Sequence, residues 1–124
     1  MTKPGRDKPL IGIVGVCASG KTTLCSKLND LGYNCRHIAQ EHSYVPTMWK
    51  RLTNPDLLIY LETSYASTIR RRKLNWTEDE YQEQIRRLEN ARNNADILID
   101  TDQLSIDEVT SHVVNLITDH ITPD

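Results

Sequence analysis

The chain has 124 residues, and its fifteen basic and seventeen acidic side chains leave a formal charge of −2. That length fits one domain able to bury a core, and the near balance of charge excludes a global attraction for nucleic acid or anionic membrane, so any polyanion must be held locally. No stretch approaches the roughly 18 apolar residues of a membrane span, and the polar run Met1 to Pro9 lacks the apolar core of a signal peptide. The expectation is therefore a soluble, cytoplasmic domain over residues 1–124, with a flexible segment over 1–8, and with neither nucleic acid nor membrane as partner.

Leu10-Ile11-Gly12-Ile13-Val14 is a short apolar run suited to a buried parallel strand. The next eight residues, Gly15 to Thr22, fit the spacing G-x-x-x-x-G-K-[ST]. Leu24, Leu28 and Leu31 then recur at helical spacing before Gly32, a left-handed stop signal. Strand, glycine loop and helix in that order make a phosphate cradle: backbone N–H groups turn inward, and the helix start adds about half a positive charge. Gly15, Cys17, Ala18, Ser19, Gly20 and Thr23 are the predicted loop contacts. Lys21 is predicted to reach the β- and γ-phosphates, and the Thr22 hydroxyl to ligate magnesium. The segment resembles the Walker A loop of the P-loop NTPases, and Gly20-Lys21-Thr22-Thr23-Leu24 resembles the same stretch in small-molecule and nucleotide kinases. That resemblance implies ATP and Mg2+ as cofactors. It also implies a trimmed member, because a full nucleotide kinase carries a substrate-binding insertion and a lid. Cys17, Cys25 and Cys35 form no C-x-x-C pair and read as free thiols.

Beyond Gly32, Tyr33 to Ala39 alternates weakly and predicts a second strand ending near Glu41. Tyr44 to Pro55, with prolines at 46 and 55, predicts a loop with one helical turn. Leu57-Leu58-Ile59-Tyr60-Leu61 is a buried strand closed by Glu62, and a helix follows over about 64–73. Thr77-Glu78-Asp79-Glu80 and Ser105-Ile106-Asp107-Glu108 are capping boxes that start two further helices, and Ala95 to Asp100 supplies a strand between them. Tyr81, Ile85, Leu88 and Ala95 share one face of the first helix. Ile106, Val109, Val113 and Leu116 or Ile117 share one face of the second. Strands alternating with helices predict an α/β fold: a three-layer sandwich around a parallel sheet of about four strands, with ligand at the carboxyl ends of the strands.

Three apolar runs end in an acid, at Glu41, Glu62 and Asp100, and phosphoryl transfer needs an acid to hold magnesium or accept a proton. Glu41-His42-Ser43 resembles the Glu-Arg-Ser of deoxynucleoside kinases, which implies Glu41 as base or as water-mediated metal ligand. Here His42 stands in place of the arginine. Tyr60-Leu61-Glu62 resembles the Tyr-Leu-Asp before the lid helix of nucleotide kinases, so Arg70-Arg71-Arg72-Lys73 falls where lid arginines stand. Helical geometry lets at most two of the arginines face the phosphates, and Arg71 and Arg72 are the candidates. Asp96 to Asp102 resembles the last strand and base-lining loop of these kinases, with Thr101 or Gln103 as the base contact and ATP favoured over GTP. His37, His42, His112 and His120 show no ligand spacing to cysteine or acid, so no transition-metal site is predicted.

Three functions stay open at this point. One is an ATP- and magnesium-dependent phosphotransferase acting on an unidentified small-molecule acceptor. The second is a nucleotide-binding regulatory or partner-binding module, and the third a simple NTP hydrolase. Tyr44, Met48 and Trp49 discriminate between them: lining a pocket they favour an acceptor site, and packed in the core they weaken it.

Overall fold

A computed structural model describes residue 3, residues 5–72 and residues 75–120, with Arg72 described by its backbone. Its elements are β1 (Leu10–Gly15), α1 (Lys21–Asp30), β2 (Asn34–His37), β3 (Leu57–Glu62), α2 (Tyr65–Arg72), α3 (Glu78–Asn93), β4 (Ile97–Asp100) and α4 (Ile106–Ile117). All four strands are parallel, in the order β2-β1-β3-β4. The α/β sandwich expected from the sequence is the observed fold.

The two-residue period of the strands divides the core into two layers. Ile11, Ile13, Leu57, Ile59, Leu61, Ile97 and Ile99 pack with Leu24 and Leu28 of α1 and Val109, Val113 and Ile117 of α4. Val14, Leu58 and Tyr60 point the other way, onto Leu88 and Ala91 of α3 and onto Trp49. On β1 the Gly12 position belongs to this second face. A Cβ there would sit 2.7 Å from Ile38 Cδ1 and 3.0 Å from Pro55, so the close approach of chains requires glycine. Both predicted capping boxes are present, with the Thr77 and Ser105 hydroxyls accepting from the N–H groups of Glu80 and Glu108 and each glutamate reaching back.

Two departures from the sequence reading have local causes. The second strand ends at His37, and Gln40–His42 forms a 3-10 turn instead of a strand end. Gln40 explains the turn, because its fully buried amide donates to the carbonyls of Val45 and Arg87 and accepts from Trp49 N, which draws the chain down onto α3. The single helical turn expected in the following loop is a π-type turn, Trp49–Thr53, closed by Asn54 N on Trp49 O at 3.0 Å. Within the segment expected to be flexible, the described residues Lys3 and Arg6 meet Asp56. That carboxylate accepts from Lys3 N, Leu10 N and the Arg6 guanidinium, which also donates to Thr53 O. Burial alone would raise the Asp56 carboxyl, but these donors outweigh it and hold it below the usual carboxylate range. Among the described residues no helix is long and apolar enough to cross a membrane.

Candidate active site

The site begins where β1 ends, since a parallel sheet gathers its loops at the carboxyl edge. Gly15 is held against the neighbouring strand: a Cβ there would meet Ser19 Oγ at 2.7 Å and Leu61 O at 2.9 Å. The loop closes through Ser19 N on Val16 O, and Ala18 and Gly20 adopt left-handed backbone at φ 67° and 96°. Gly20 takes that conformation without cost, whereas Ala18 stores strain of order 1 kcal/mol. Gly20 is also the N-cap of α1 and lends it no side chain, so the first N–H groups of the helix stay free for an anion.

Lys21 is buried, and its ammonium fills the cradle. It donates to the carbonyls of Gly15 (2.9 Å) and Val16 (3.0 Å) and forms an ion pair with Glu41 Oε2 at 2.8 Å. The 3-10 turn therefore sets Glu41 beside the loop, 3% exposed, and among the described residues the second carboxylate oxygen, Oε1, has no partner. Ser19 Oγ is likewise buried and unpartnered. Thr22 and Thr23 stand exposed on the first turn of α1.

The loop opens on one side onto a cavity of about 410 Å³. Ala18, Ser19, Gly20 and Thr23 line one wall, and Arg71, Thr101, Leu104 and Ile106 line the other. This size lies within the range of pockets that take small organic ligands. Arg71 donates through Nη1 to Thr101 Oγ1 at 3.0 Å and through Nη2 to Thr101 O. Thr101 is itself buried and bonded to Thr63 Oγ1 at 2.7 Å. Arg70 points elsewhere and bonds Ser67. Gln103 is exposed and does not line the cavity. The Arg72 side chain and Lys73 lie outside the described residues. Nearby, burial alone would raise Asp102, but the Ser64 N–H, the Ser67 and Ser64 hydroxyls and the Arg71 charge outweigh it and hold the carboxyl low.

The other two strand-end acids are spent on structure. Glu62 pairs with Arg92, Nε to Oε1 at 2.6 Å, and exposed Asp100 accepts from Asp102 N. Of the three, Glu41 alone touches the loop lysine.

A sequence comparison matches residues 11–122 to the AAA domain family. The chain belongs to that family. No curated protein sequence matches it. Among solved structures, shikimate kinase from Acinetobacter baumannii, in complex with shikimate, superposes with a TM-score of 0.62 at 16% identity, covering 94% of this chain and 97% of that one. Thymidylate kinase from Candida albicans superposes with a TM-score of 0.62 at 14% identity, covering 90% and 92%. At those identities the likeness is one of fold: this AAA-family domain is a P-loop NTPase of nucleotide-kinase-like architecture.

Within this AAA-family domain, two residues that shape the loop and its neighbouring turn escaped the sequence reading. Gln84 of α3 is buried; its Oε1 accepts from Cys17 N at 3.0 Å and its Nε2 lies 3.3 Å from Cys17 Sγ, clamping the phosphate loop. Its signal was available, as a polar residue three positions after Tyr81 on the apolar face of a helix. Gln40, which shapes the turn carrying Glu41, gave no such signal. The structure also joins Cys17 to His42, Sγ to Nε2 at 3.6 Å. These positions are 25 residues apart, beyond the reach of any spacing rule.

Proposed function

We propose that this domain is an ATP- and magnesium-dependent phosphotransferase, and the observation that carries the reading is the buried Lys21–Glu41 pair at the mouth of the glycine loop. The residues fit the nucleotide and its metal: free N–H groups at the start of α1, an unpartnered Ser19 hydroxyl, a movable ammonium and an adjoining cavity. Gly15, Cys17, Ala18, Ser19, Gly20 and Thr23 would hold the nucleotide, with Thr101 on the cavity wall at its base, Thr22 would hold magnesium, and Glu41 would serve as general base or as a water-mediated ligand of that magnesium. Magnesium, when bound, would offset charge on the phosphates.

Lys21 has three oxygen partners and would exchange them for phosphate oxygens. That exchange releases Glu41 to accept the proton of the attacking hydroxyl as general base, a role worth about 10²–10⁴ in rate. Arg71, and Arg72 one position on, stabilise charge on the transferred group through charge-assisted bonds. The mechanism is positioning plus electrostatics, and it belongs in the cytoplasm, where ATP is available.

Hydrolysis is the second reading, and one observation favours it. Trp49 is buried with its indole N–H on Asn90 Oδ1, and Met48 packs against the same cluster, so these two offer packing in place of an acceptor pocket, whereas Tyr44 stands exposed beneath the Arg87 guanidinium. A labelled-ATP assay over small hydroxylic metabolites, with shikimate and thymidylate included on the strength of the two neighbours, decides between them. Acceptor-dependent transfer is the expected result. Phosphate release that no acceptor changes would make the domain a hydrolase, and binding without either would make it a regulatory or partner-binding module.

A further inference from the structure

Cys17, Glu41 and His42 come from three different surroundings: the phosphate loop, a buried turn and the exposed end of that turn. One ligating atom from each lies within 4.8 Å of the others. With metal–sulfur and metal–nitrogen bonds of about 2.3 and 2.0 Å, a tetrahedral ion sets sulfur and nitrogen about 3.5 Å apart, and nitrogen and carboxylate oxygen about 3.3 Å apart. The structure has 3.6 Å from Cys17 Sγ to His42 Nε2 and 3.7 Å from His42 Nε2 to Glu41 Oε2. The ligands therefore need move only a few tenths of an ångström at these two separations.

The second observation is the carboxylate itself. Glu41 is more than nine-tenths buried, yet among the described residues Oε1 has no partner, an arrangement that is costly unless something fills it. The oxygen 3.7 Å from His42 is Oε2, which Lys21 also engages, so the ion either takes Oε2 from the ammonium or binds the neighbouring Oε1 of the same carboxylate. Gln84 orients the sulfur from behind, as outer partners do at metal sites. His42 is 60% exposed and leaves an entry path.

We propose that Cys17, Glu41 and His42 form a three-ligand site for a thiophilic divalent cation of the zinc class, with its fourth position open to solvent. Magnesium is excluded by the sulfur and imidazole donors, which suit softer ions. On binding, the Cys17 thiol proton leaves to solvent and a metal–sulfur bond forms. The ion occupies the carboxylate that faces Lys21, so it inhibits any chemistry in which Glu41 acts. Cys25 and Cys35 do not compete, since both are buried and burial together with Cys25 pushes the Cys35 thiol far up.

The test uses the full chain without nucleotide, so its outcome is independent of the phosphotransferase reading. Cobalt(II) is titrated while near-ultraviolet thiolate-to-cobalt absorption is followed, and zinc is then added in competition. One ion per chain should bind with a thiolate band that Cys17→Ser abolishes. Cys17→Ser and His42→Ala should each weaken zinc by at least about 100-fold, whereas His112→Ala, an exposed histidine elsewhere, should match the parent. Circular dichroism melts establish that the variants fold, and His42→Ala, a surface change, keeps the test open if Cys17→Ser does not. A band that survives Cys17→Ser, or equal zinc affinity in the parent and His42→Ala, would reduce the trio to a hydrogen-bonded thiol and overturn the proposal.

Discussion

On one flank of Lys21 the loop from Val16 to Gly20 opens onto a 410 Å³ cavity walled by Arg71, Thr101 and the start of α4, whereas on the other flank residues 40–53 fold back on α3 and fill the space with Trp49 and Met48. The open flank leaves polar groups unspent, among them the helix N–H groups and Ser19 Oγ. The packed flank satisfies nearly everything it buries through Gln40 and Asn90, and its exception is Glu41 Oε1. Unsatisfied buried groups are costly and rare in folded proteins, so their concentration around one lysine marks where ligand chemistry takes over from folding. The nucleotide side is thus preformed, while the side that would admit an acceptor contributes one carboxylate held in place by a well-packed segment.

The largest effect that would sharpen this contrast lies at that carboxylate. Glu41→Gln keeps the size of the side chain and removes the base, so turnover should fall by roughly 10²–10⁴-fold while nucleotide affinity stays near that of the parent. Equal turnover would shift the chemistry to another group. Trp49 tests whether the second flank is core or pocket. As core, Trp49→Ala should cost about 3–5 kcal/mol in denaturant unfolding; a loss under about 1 kcal/mol, coupled to a raised acceptor KM, would make it a pocket wall.

Asp56 lies away from both flanks and gives a reference for pure stability. Its native carboxyl is held low, so its contribution is present above the ordinary carboxylate range and is lost as pH falls through the native value. Asp56→Asn should therefore lower stability by about 1–3 kcal/mol at neutral pH. The difference from the parent should shrink on acidification, with nucleotide affinity unaltered. The smallest effect concerns the basic run. Arg71→Ala, which removes a guanidinium from the cavity wall, should weaken ATP by roughly tenfold, in keeping with charge-assisted contacts to phosphate. Arg70→Ala should leave it unchanged, because among the described residues Arg70 bonds Ser67 of its own helix. Identical titrations of the two variants would remove Arg71 from the site.

How much of this could be read from the chain follows from the range of the interactions. β1, β3 and β4 announce themselves as apolar runs, and α3 and α4 through capping boxes whose partners are three residues apart. The phosphate loop is equally local, since its glycines answer to contacts within the motif and with the adjoining strand. Glu41 was singled out as a strand-end acid, although it sits in a 3-10 turn; its proximity to Lys21 depends on Gln40 reaching α3, a contact spanning 47 positions. Gln84 was half legible, as a polar residue on an apolar face, but its partner in the loop is 67 positions away. The Cys17–His42 contact has no local trace at all. Where a side chain is positioned by its own turn the sequence suffices, and where it is positioned by another element only the fold reveals it.

A cradle built for nucleotide, with Lys21 as its movable charge, must lose its ligand when that charge is removed. Calorimetric titration of a non-hydrolysable ATP analogue with magnesium into the parent and into Lys21→Ala tests it most directly. Binding to the parent should be saturable, with a stabilisation of about 2.7 kcal/mol at a hundredfold excess over Kd, and most of that binding should be lost in Lys21→Ala. Binding of the same strength to both proteins would contradict it.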